Sequence, residues 1–310
     1  MGVSSKPLAV IDLGSHSALL LIARVEGEQL KVLQEDFVIT RLGQGLNESG
    51  KLSKERQGAA LQVLQHFKQK AEAHNCQSVQ VIATEALRRA HDADEFIRQI
   101  EQELQLPVSV LSPQQEATCS YLGAISVIEN FKNKRFTVID VGGGSTEITL
   151  GQGQEIVKHA SLPVGASRLA EAMDFKVKLG SSDRMGLMQI VKIELEKIAF
   201  WNEIDSSRVL VGSGGTVTTL AAIHHGMERY DAQRVSQTVL DREQIWKLYY
   251  QINDLDLEER LKLPGLEAGR EDVITYGTII YLTIMELRQL PWIRVSARGV
   301  RFGYLIKKDW

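Results

Sequence analysis

Two carboxylates separated by a run of glycines and hydroxyls make the strongest chemical signal in the chain. The stretch is Asp140-Val141-Gly142-Gly143-Gly144-Ser145-Thr146-Glu147, entered by the apolar residues Phe136 to Ile139 and left by Ile148-Thr149-Leu150. Glycines let backbone N–H groups approach a ligand that a Cβ would hold off, and a concave row of such donors suits phosphate oxygens. Gly142, Gly143, Gly144, Ser145 and Thr146 are therefore candidate phosphate-binding residues. Asp140 and Glu147 would repel the same phosphate, so a bridging divalent cation, Mg2+ or another, is their natural partner. The plain alternative is a tight glycine hairpin with ordinary surface acids, since short glycine motifs match by chance.

The pattern recurs. Near the N-terminus Leu8-Ala9-Val10-Ile11 runs into Asp12-Leu13-Gly14-Ser15-His16-Ser17 and then the apolar Leu19-Leu20-Leu21-Ile22. Strand, aspartate, hydrophobe, glycine, serine and strand thus appear twice, which marks an internal duplication. It makes Gly14 and Ser15 phosphate-binding candidates, and Asp12 a candidate third metal carboxylate. A third turn, Gly212-Ser213-Gly214-Gly215-Thr216, follows the apolar Val209-Leu210-Val211 and runs into the helix-like Val217 to Ile223. A glycine turn opening a helix is an anion site through its amides and the helix dipole together.

With these turns in place, the chain resembles the acetate-kinase, sugar-kinase and actin superfamily, and within it the exopolyphosphatase and guanosine pentaphosphate phosphohydrolase (Ppx/GppA) family in its short two-domain form. The matching stretches are Asp12 to Ser17, Arg41 to Leu46, Ala83-Thr84-Glu85-Ala86-Leu87-Arg88, Gln115-Glu116-Ala117, Asp140 to Glu147, Gly212 to Thr216 and Arg298-Gly299-Val300-Arg301, in the family's order. The resemblance implies that Arg88 faces the substrate phosphate and that Glu116 is the catalytic base. It also implies Mg2+ held by Asp140 and Glu147 with Asp12, and a substrate that is inorganic polyphosphate or a guanosine penta- or tetraphosphate; it admits a homodimer. The chain departs from the family at Gln115, where another acid is common, and at Glu85 and Arg89, where a small residue and an acid are usual. Arg89 either strengthens polyanion capture or pairs with Glu85.

These groups need scaffolding. Residues 8–12, 18–26 and 31–41 read as strands, and 42–50 as a loop. Ser53 caps a helix with an apolar face at Ala60, Leu64, Phe67 and Ala71. Val79 to Ala83 is a strand ending in a strand-to-turn edge at 84–89, followed by a helix over 93–104 and a strand over 108–111. Ser112, Pro113 and Gln115 form a helix start with a capping box, which sets Glu116 in the first turns of a helix reaching about Ile128. In the second half, strands at 136–139, 148–150 and 154–161 precede a helix from Ser181 to about Phe200. Lys192 and Lys197 on it either reach a polyanion or lie on a solvated face. A capped helix from Asp241, a long apolar helix opening at Arg270 to Ile274 and running toward Leu290, a strand over 293–296 and a terminal helix complete the reading. His224 and His225 lack partner cysteines and ligand spacing, so they do not read as a zinc site.

Composition bounds the function. With 44% hydrophobic and 24% charged residues, the chain has the makeup of a globular protein. Its net charge of −3 argues against nucleic-acid binding, which wants a basic surface. Cys76 and Cys119 make no disulfide framework and point to a cytoplasmic, reduced protein. The sequence shows neither an export leader nor an apolar run long enough to span a membrane, and Met1-Gly2-Val3-Ser4-Ser5 resembles a myristoylation start only superficially.

The expectation is therefore an α/β protein of two similar ribonuclease-H-like, actin-like domains facing a cleft. One comprises residues 1–125 with about 300–310, the other 126–299. The expected activity is hydrolysis of terminal phosphoanhydrides of polyphosphate. Guanosine pentaphosphate 5′-phosphohydrolase is the alternative, a small-molecule kinase would belong to the same superfamily, and a catalytically weak nucleotide-binding sensor is a further reading.

Overall fold

A computed structural model describes residues 6–26 and 29–307, so the Met1-to-Ser5 segment lies outside the described residues. The chain divides into two compact units, Met1–Gly123 with Val300–Trp310, and Ala124–Gly299.

The first unit starts with strands β1 (Leu8–Leu13), β2 (Ser17–Glu26) and β3 (Gln29–Ile39). Helices α1 (Leu46–Ser49) and α2 (Lys54–Ala73) lead to β4 (Ser78–Ala83), and α3 (Glu85–Arg89) and α4 (Ala93–Leu104) lead to β5 (Val108–Val110) and α5 (Pro113–Ile125). In the second unit β6 (Arg135–Val141), β7 (Thr146–Gln152) and β8 (Glu155–Leu162) are followed by α6 (Ala166–Ala172), α7 (Ser181–Glu196), β9 (Val209–Ser213) and α8 (Gly215–His224). Then come α9 (Ala232–Ser236), β10 (Val239–Asp241), α10 (Arg242–Asn253), α11 (Leu257–Leu261), α12 (Ile274–Leu287) and β11 (Trp292–Val295). The last helix, α13 (Val300–Ile306), belongs to the first unit.

The duplication seen in the sequence is a duplication of topology. The first sheet has the order β3-β2-β1-β4-β5 and the second β8-β7-β6-β9-β11-β10. In each, a three-stranded antiparallel meander opens the unit (β1-β2-β3 and β6-β7-β8). The founding strand of each meander then pairs in parallel with the next strand out, β1 with β4 and β6 with β9. β5 and β11 extend those parallel edges.

Side-chain alternation along β1 explains the layering. Ala9, Ile11 and Leu13 pack with Leu64 and Phe67 of α2 and with Phe96 and Ile100 of α4. Val10 points the other way, to Cys119 of α5 and to Phe302 and Leu305 of α13, as the period of two in a strand requires. The expected apolar face of α2, Ala60, Leu64, Phe67 and Ala71, is buried throughout, and Ser53 Oγ accepts the Arg56 N–H at 3.2 Å as its cap. In the second unit α12 is buried on nearly every side. Its uniformly apolar sequence suits a helix at the centre of a core.

Two stretches differ from the sequence reading. Within the expected 42–50 loop the chain forms one short helix, α1, bounded by Gly45 and Gly50 at positive φ (75° and 66°). The expected turn edge at 84–89 is the five-residue helix α3. Neither is long enough to display a helical period. Among the described residues no helix is long and apolar enough to cross a membrane.

Candidate active site

In the first unit the candidates sit at the carboxyl ends of three adjacent parallel strands, β1, β4 and β5. β1 carries Asp12, which is 8% exposed, and runs out into the Gly14–Ser15 turn. That turn is closed by the Gly14 N–H donating to the Ser17 carbonyl at 2.9 Å. β4 ends where α3 begins and presents Arg88. β5 leads to α5, whose start is fixed by the expected capping box: Gln115 N–H donates to Ser112 Oγ at 3.2 Å, and Ser112 N–H to Gln115 Oε1 at 2.9 Å.

This framing brings Arg88 and Glu116 together. Arg88 Nη1 donates to Glu116 Oε2 at 2.6 Å and to the Leu111 carbonyl at 2.8 Å. The two side chains are 17% and 9% exposed, so the pair is held largely away from solvent. Its neighbour Arg89 donates to Glu85 Oε1 at 2.8 Å and to Asn47 Oδ1 at 2.9 Å, while Ser15 Oγ donates to Glu85 Oε2 at 3.0 Å. Cys119 lies further along α5; burial first, then the charge of Asp12, pushes its thiol up to about 12. It stays neutral, and a neutral thiol is a poor nucleophile.

In the second unit the same architectural position is occupied by the other two turns. β6 and β9 run in parallel with Ile139 opposite Gly212 and Asp140 opposite Ser213. Their carboxyl ends therefore deliver the 140–147 and 212–216 turns side by side. The first is closed by Gly142 N–H donating to the Ser145 carbonyl at 2.9 Å. Its glycines are held from behind: Ala166 N–H donates to the Gly142 carbonyl at 2.9 Å and Arg168 N–H to that of Gly143 at 3.0 Å. Thr146 Oγ1 donates to the Val164 carbonyl at 2.6 Å, so this hydroxyl supports the turn from inside rather than facing a ligand. In the third turn Gly214 has φ +89°, and a Cβ there would lie 2.6 Å from Asp140 Oδ1. Ser213 Oγ donates to the Arg298 carbonyl at 3.3 Å, and the guanidinium of Arg270 occupies the space that a side chain on Gly215 would need.

Asp140 and Glu147 are directly opposed residues on antiparallel strands and so share a face. Like charges placed this way are destabilising on their own, and a cation between them removes the penalty. The Asp140 carboxylate is seated against Gly214 in room that any Cβ would fill, and Glu147 Oε1 accepts from Ser161 Oγ at 2.8 Å. The donor set, two hard oxygen carboxylates among glycines, fits Mg2+ with water completing its shell. Among the described residues no three His, Cys, Asp or Glu side chains form a group able to hold a metal, so the fit rests on this pair.

Other residues fall outside. Lys192 and Lys197 pair along α7 with Glu196 at 3.8 Å and Glu194 at 2.6 Å, the solvated-face arrangement. His225 Nε2 contacts Thr238 Oγ1 at 2.9 Å. Sequence reasoning missed Tyr281. Its hydroxyl donates to the Ser213 carbonyl at 2.5 Å and approaches that of Ile139 at 3.2 Å, joining the roots of two glycine turns. Burial, with the Asp140 charge adding to it, drives its ionisation well above the ordinary tyrosine range, so it stays a donor. A tyrosine within an apolar helix carries no sequence signal for that role.

Comparison with known proteins identifies the family and the fold. The Ppx/GppA phosphatase family matches residues 21–309. The chain is 30% identical over 310 residues to a bifunctional 3-dehydroquinate synthase/phosphatase of Fusobacterium nucleatum, covering 96% of this chain but only 46% of that protein. It therefore spans less than half the length of that relative. It is also 30% identical over 283 residues to exopolyphosphatase 2 of Mycobacterium tuberculosis, covering 88% of each. The crystal structure of the Aquifex aeolicus member of the Ppx/GppA family, 32% identical, superimposes with a TM-score of 0.80 over 97% of both chains. The chain belongs to the Ppx/GppA phosphatase family, and its two units are actin-like α/β domains.

Proposed function

We propose that the chain is an exopolyphosphatase, a Mg2+-dependent hydrolase that releases the terminal phosphate of inorganic polyphosphate. The observation that supports this best is the 2.6 Å contact between Arg88 and Glu116 at the ends of β4 and β5. It places a phosphate-seeking cation beside a carboxylate able to take a proton from water.

In this reading the terminal phosphate engages Arg88, whose guanidinium matches phosphate oxygens in a fork. Glu116, beside that guanidinium, orients a water and accepts its proton as the water oxygen attacks phosphorus. The bridging P–O bond breaks, and orthophosphate leaves with the chain one unit shorter. Each unit brings its own glycine turns, 12–17 in the first and 140–147 and 212–216 in the second, whose backbone N–H groups are donors of the kind phosphate oxygens take. Bound at Asp140 and Glu147, Mg2+ would supply charge neutralisation for phosphate oxygens at the second unit's turns. Phosphoryl transfer asks the protein for positioning and charge rather than covalent chemistry, which suits this inventory.

The enzyme acts distributively on short chains. Each further phosphate would have to meet an exposed cation, and Arg89, Lys192 and Lys197 are already paired with carboxylates. A screened surface pair is worth only about 0.2–1 kcal/mol.

The test is phosphate release with Mg2+ from polyphosphates of graded length, guanosine pentaphosphate and ATP, followed by gel analysis of a partial digest. Release from short polyphosphate with gradual shortening of the whole population supports the proposal. Preference for guanosine pentaphosphate at every length moves the activity to the nucleotide, transfer to an acceptor moves it to a kinase, and binding without turnover makes the chain a sensor. Full activity in excess chelator overturns the metal assignment.

A further inference from the structure

Arg89 is the charged group that the proposed reaction leaves unused, although it stands next to Arg88 on α3. A cation beside a phosphate site invites the reading that it grasps the polyanion. Its geometry says otherwise. Nη1 is taken by Glu85 Oε1 at 2.8 Å and Nη2 by Asn47 Oδ1 at 2.9 Å. Glu85, 9% exposed, gives its other oxygen to Ser15 Oγ at 3.0 Å. The Ser15 carbonyl in turn accepts the Gly43 N–H at 2.8 Å, and the Gly43 carbonyl accepts the Leu46 N–H at 3.2 Å, one residue before Asn47. These contacts close a ring from the first glycine turn through Glu85, Arg89 and Asn47 back to the same turn.

The ring has a chemical consequence. A serine hydroxyl has one proton, and an ion-paired carboxylate can only accept. While Ser15 donates to Glu85, its Oγ has no proton to offer a phosphate oxygen. The first turn can then bind an oxyanion through backbone N–H groups, while Ser15 Oγ presents lone pairs to water or to a cation. The buried carboxylate would also repel phosphate if Arg89 did not offset its charge.

We propose that Arg89 is a positioning residue that acts on polyphosphate binding through Glu85 and Ser15 and does not touch the substrate. It answers for the Glu85–Arg89 pair as one unit: the acid sets the direction of the Ser15 hydroxyl, and the arginine makes that acid tolerable beside phosphate. The inference rests on the polyphosphatase reading above.

A mutant cycle of Arg89→Met, Glu85→Gln and the double variant tests it, with tripolyphosphate as the probe. Calorimetry with Mg2+ withheld gives Kd without turnover, and phosphate release with Mg2+ gives KM and kcat. Arg89→Met, which removes the ion pair to Glu85 Oε1, weakens binding by about tenfold or more, as loss of a hydrogen bond to a charged group does, and moves KM more than kcat. Glu85→Gln in the Arg89→Met background restores most of that loss, because groups acting through one another are not additive. Arg89→Lys, which keeps the charge but cannot span both acceptors, gives an intermediate KM and replaces Arg89→Met in the cycle if the latter does not fold. A double variant as weak as Arg89→Met alone would mean that Arg89 grips phosphate itself, and would overturn the inference while leaving the hydrolase standing. A wild-type chain that binds tripolyphosphate without cleaving it breaks the hydrolase reading, yet still decides the cycle through Kd. Failure of the wild type to bind any polyphosphate overturns both.

Discussion

The first and second glycine turns are the same backbone device executed in different materials. Each follows an aspartate at the end of a founding strand, and each closes with a glycine N–H donating to a serine carbonyl at 2.9 Å, Gly14 to Ser17 and Gly142 to Ser145. The segment after each meander returns to hold the turn: Thr40 and Arg41 N–H groups donate to the His16 carbonyl, and Ala166 and Arg168 N–H groups to those of Gly142 and Gly143. The first turn, however, is oriented by side chains, Ser15 with Glu85, Arg89 and Asn47. The second is held largely by backbone, with Gly165 packed directly on Gly143 and Gly144 and the Thr146 hydroxyl reaching inward to the Val164 carbonyl, while its acids, Asp140 and Glu147, oppose each other across β6 and β7. A duplicated scaffold has thus been finished in two ways, with the Arg88–Glu116 pair beside one copy and two opposed carboxylates, Asp140 and Glu147, beside the other.

That division can be broken in order of effect. Glu116→Gln removes the acceptor of the first unit; kcat falls by roughly 10²–10⁴ with the Mg2+ dependence unchanged, read from steady-state phosphate release across a metal titration. A variant with wild-type kcat means that the proton is handled elsewhere. Asp140→Asn does the converse: the Mg2+ concentration for half-maximal rate rises by about tenfold or more, as loss of a charged ligand predicts. An unchanged titration would remove Asp140 from the metal site. Gly165→Ala and Gly43→Ala compare the two supports directly. A Cβ on Gly165 would lie 2.6 Å from the Gly143 carbonyl carbon, backbone that cannot step aside, whereas one on Gly43 would lie 3.0 Å from Ser15 Cβ. Overpacking predicts a loss of about 1–3 kcal/mol at Gly165 and less at Gly43, measured by urea unfolding; the reverse order would make the first turn the more rigid. The smallest effect is expected from Lys192→Gln and Lys197→Gln, whose partners lie on their own helix. Polyphosphate KM should change by no more than about twofold, within the worth of exposed pairs, and a larger rise would extend the substrate path to α7.

The sequence disclosed the founding strands, the long helices and all three glycine turns, because each follows from a local rule. Apolar residues with an aspartate at the end gave β1 and β6, the Ser112–Gln115 capping box placed Glu116, and Asp241 with Gln244 capped α10, as their reciprocal bonds at 2.7 and 2.9 Å bear out. Hidden from it were groups whose role depends on neighbours distant in sequence. Thr146 reads as a phosphate ligand but spends its hydroxyl on Val164. Ser15 reads as a phosphate donor but donates to Glu85, 70 residues away. Tyr281 reads as core, which it is, yet it ties together β6 and β9. Residue type fixes what a side chain can donate or accept, and only tertiary placement decides which partner takes it.

The return of α13 to the first unit bears on how the molecule is made. Arg301 Nη1 donates to the Leu20 carbonyl and Nη2 to Glu35 Oε2, contacts that bridge 281 and 266 residues, and Gly303 lies so close to the Cys119 carbonyl of α5 that no larger residue fits. One face of the first sheet, which α5 covers only in part, thus stays incomplete until residues 300–306 have emerged from the ribosome, although its strands precede the whole second unit in the chain. The second unit is continuous, from Ala124 to Gly299, and has every residue it needs by then. Domains on a growing chain generally fold from the N-terminal end; here the order of completion is inverted, and the strands of the first unit wait longest with an apolar face only partly covered.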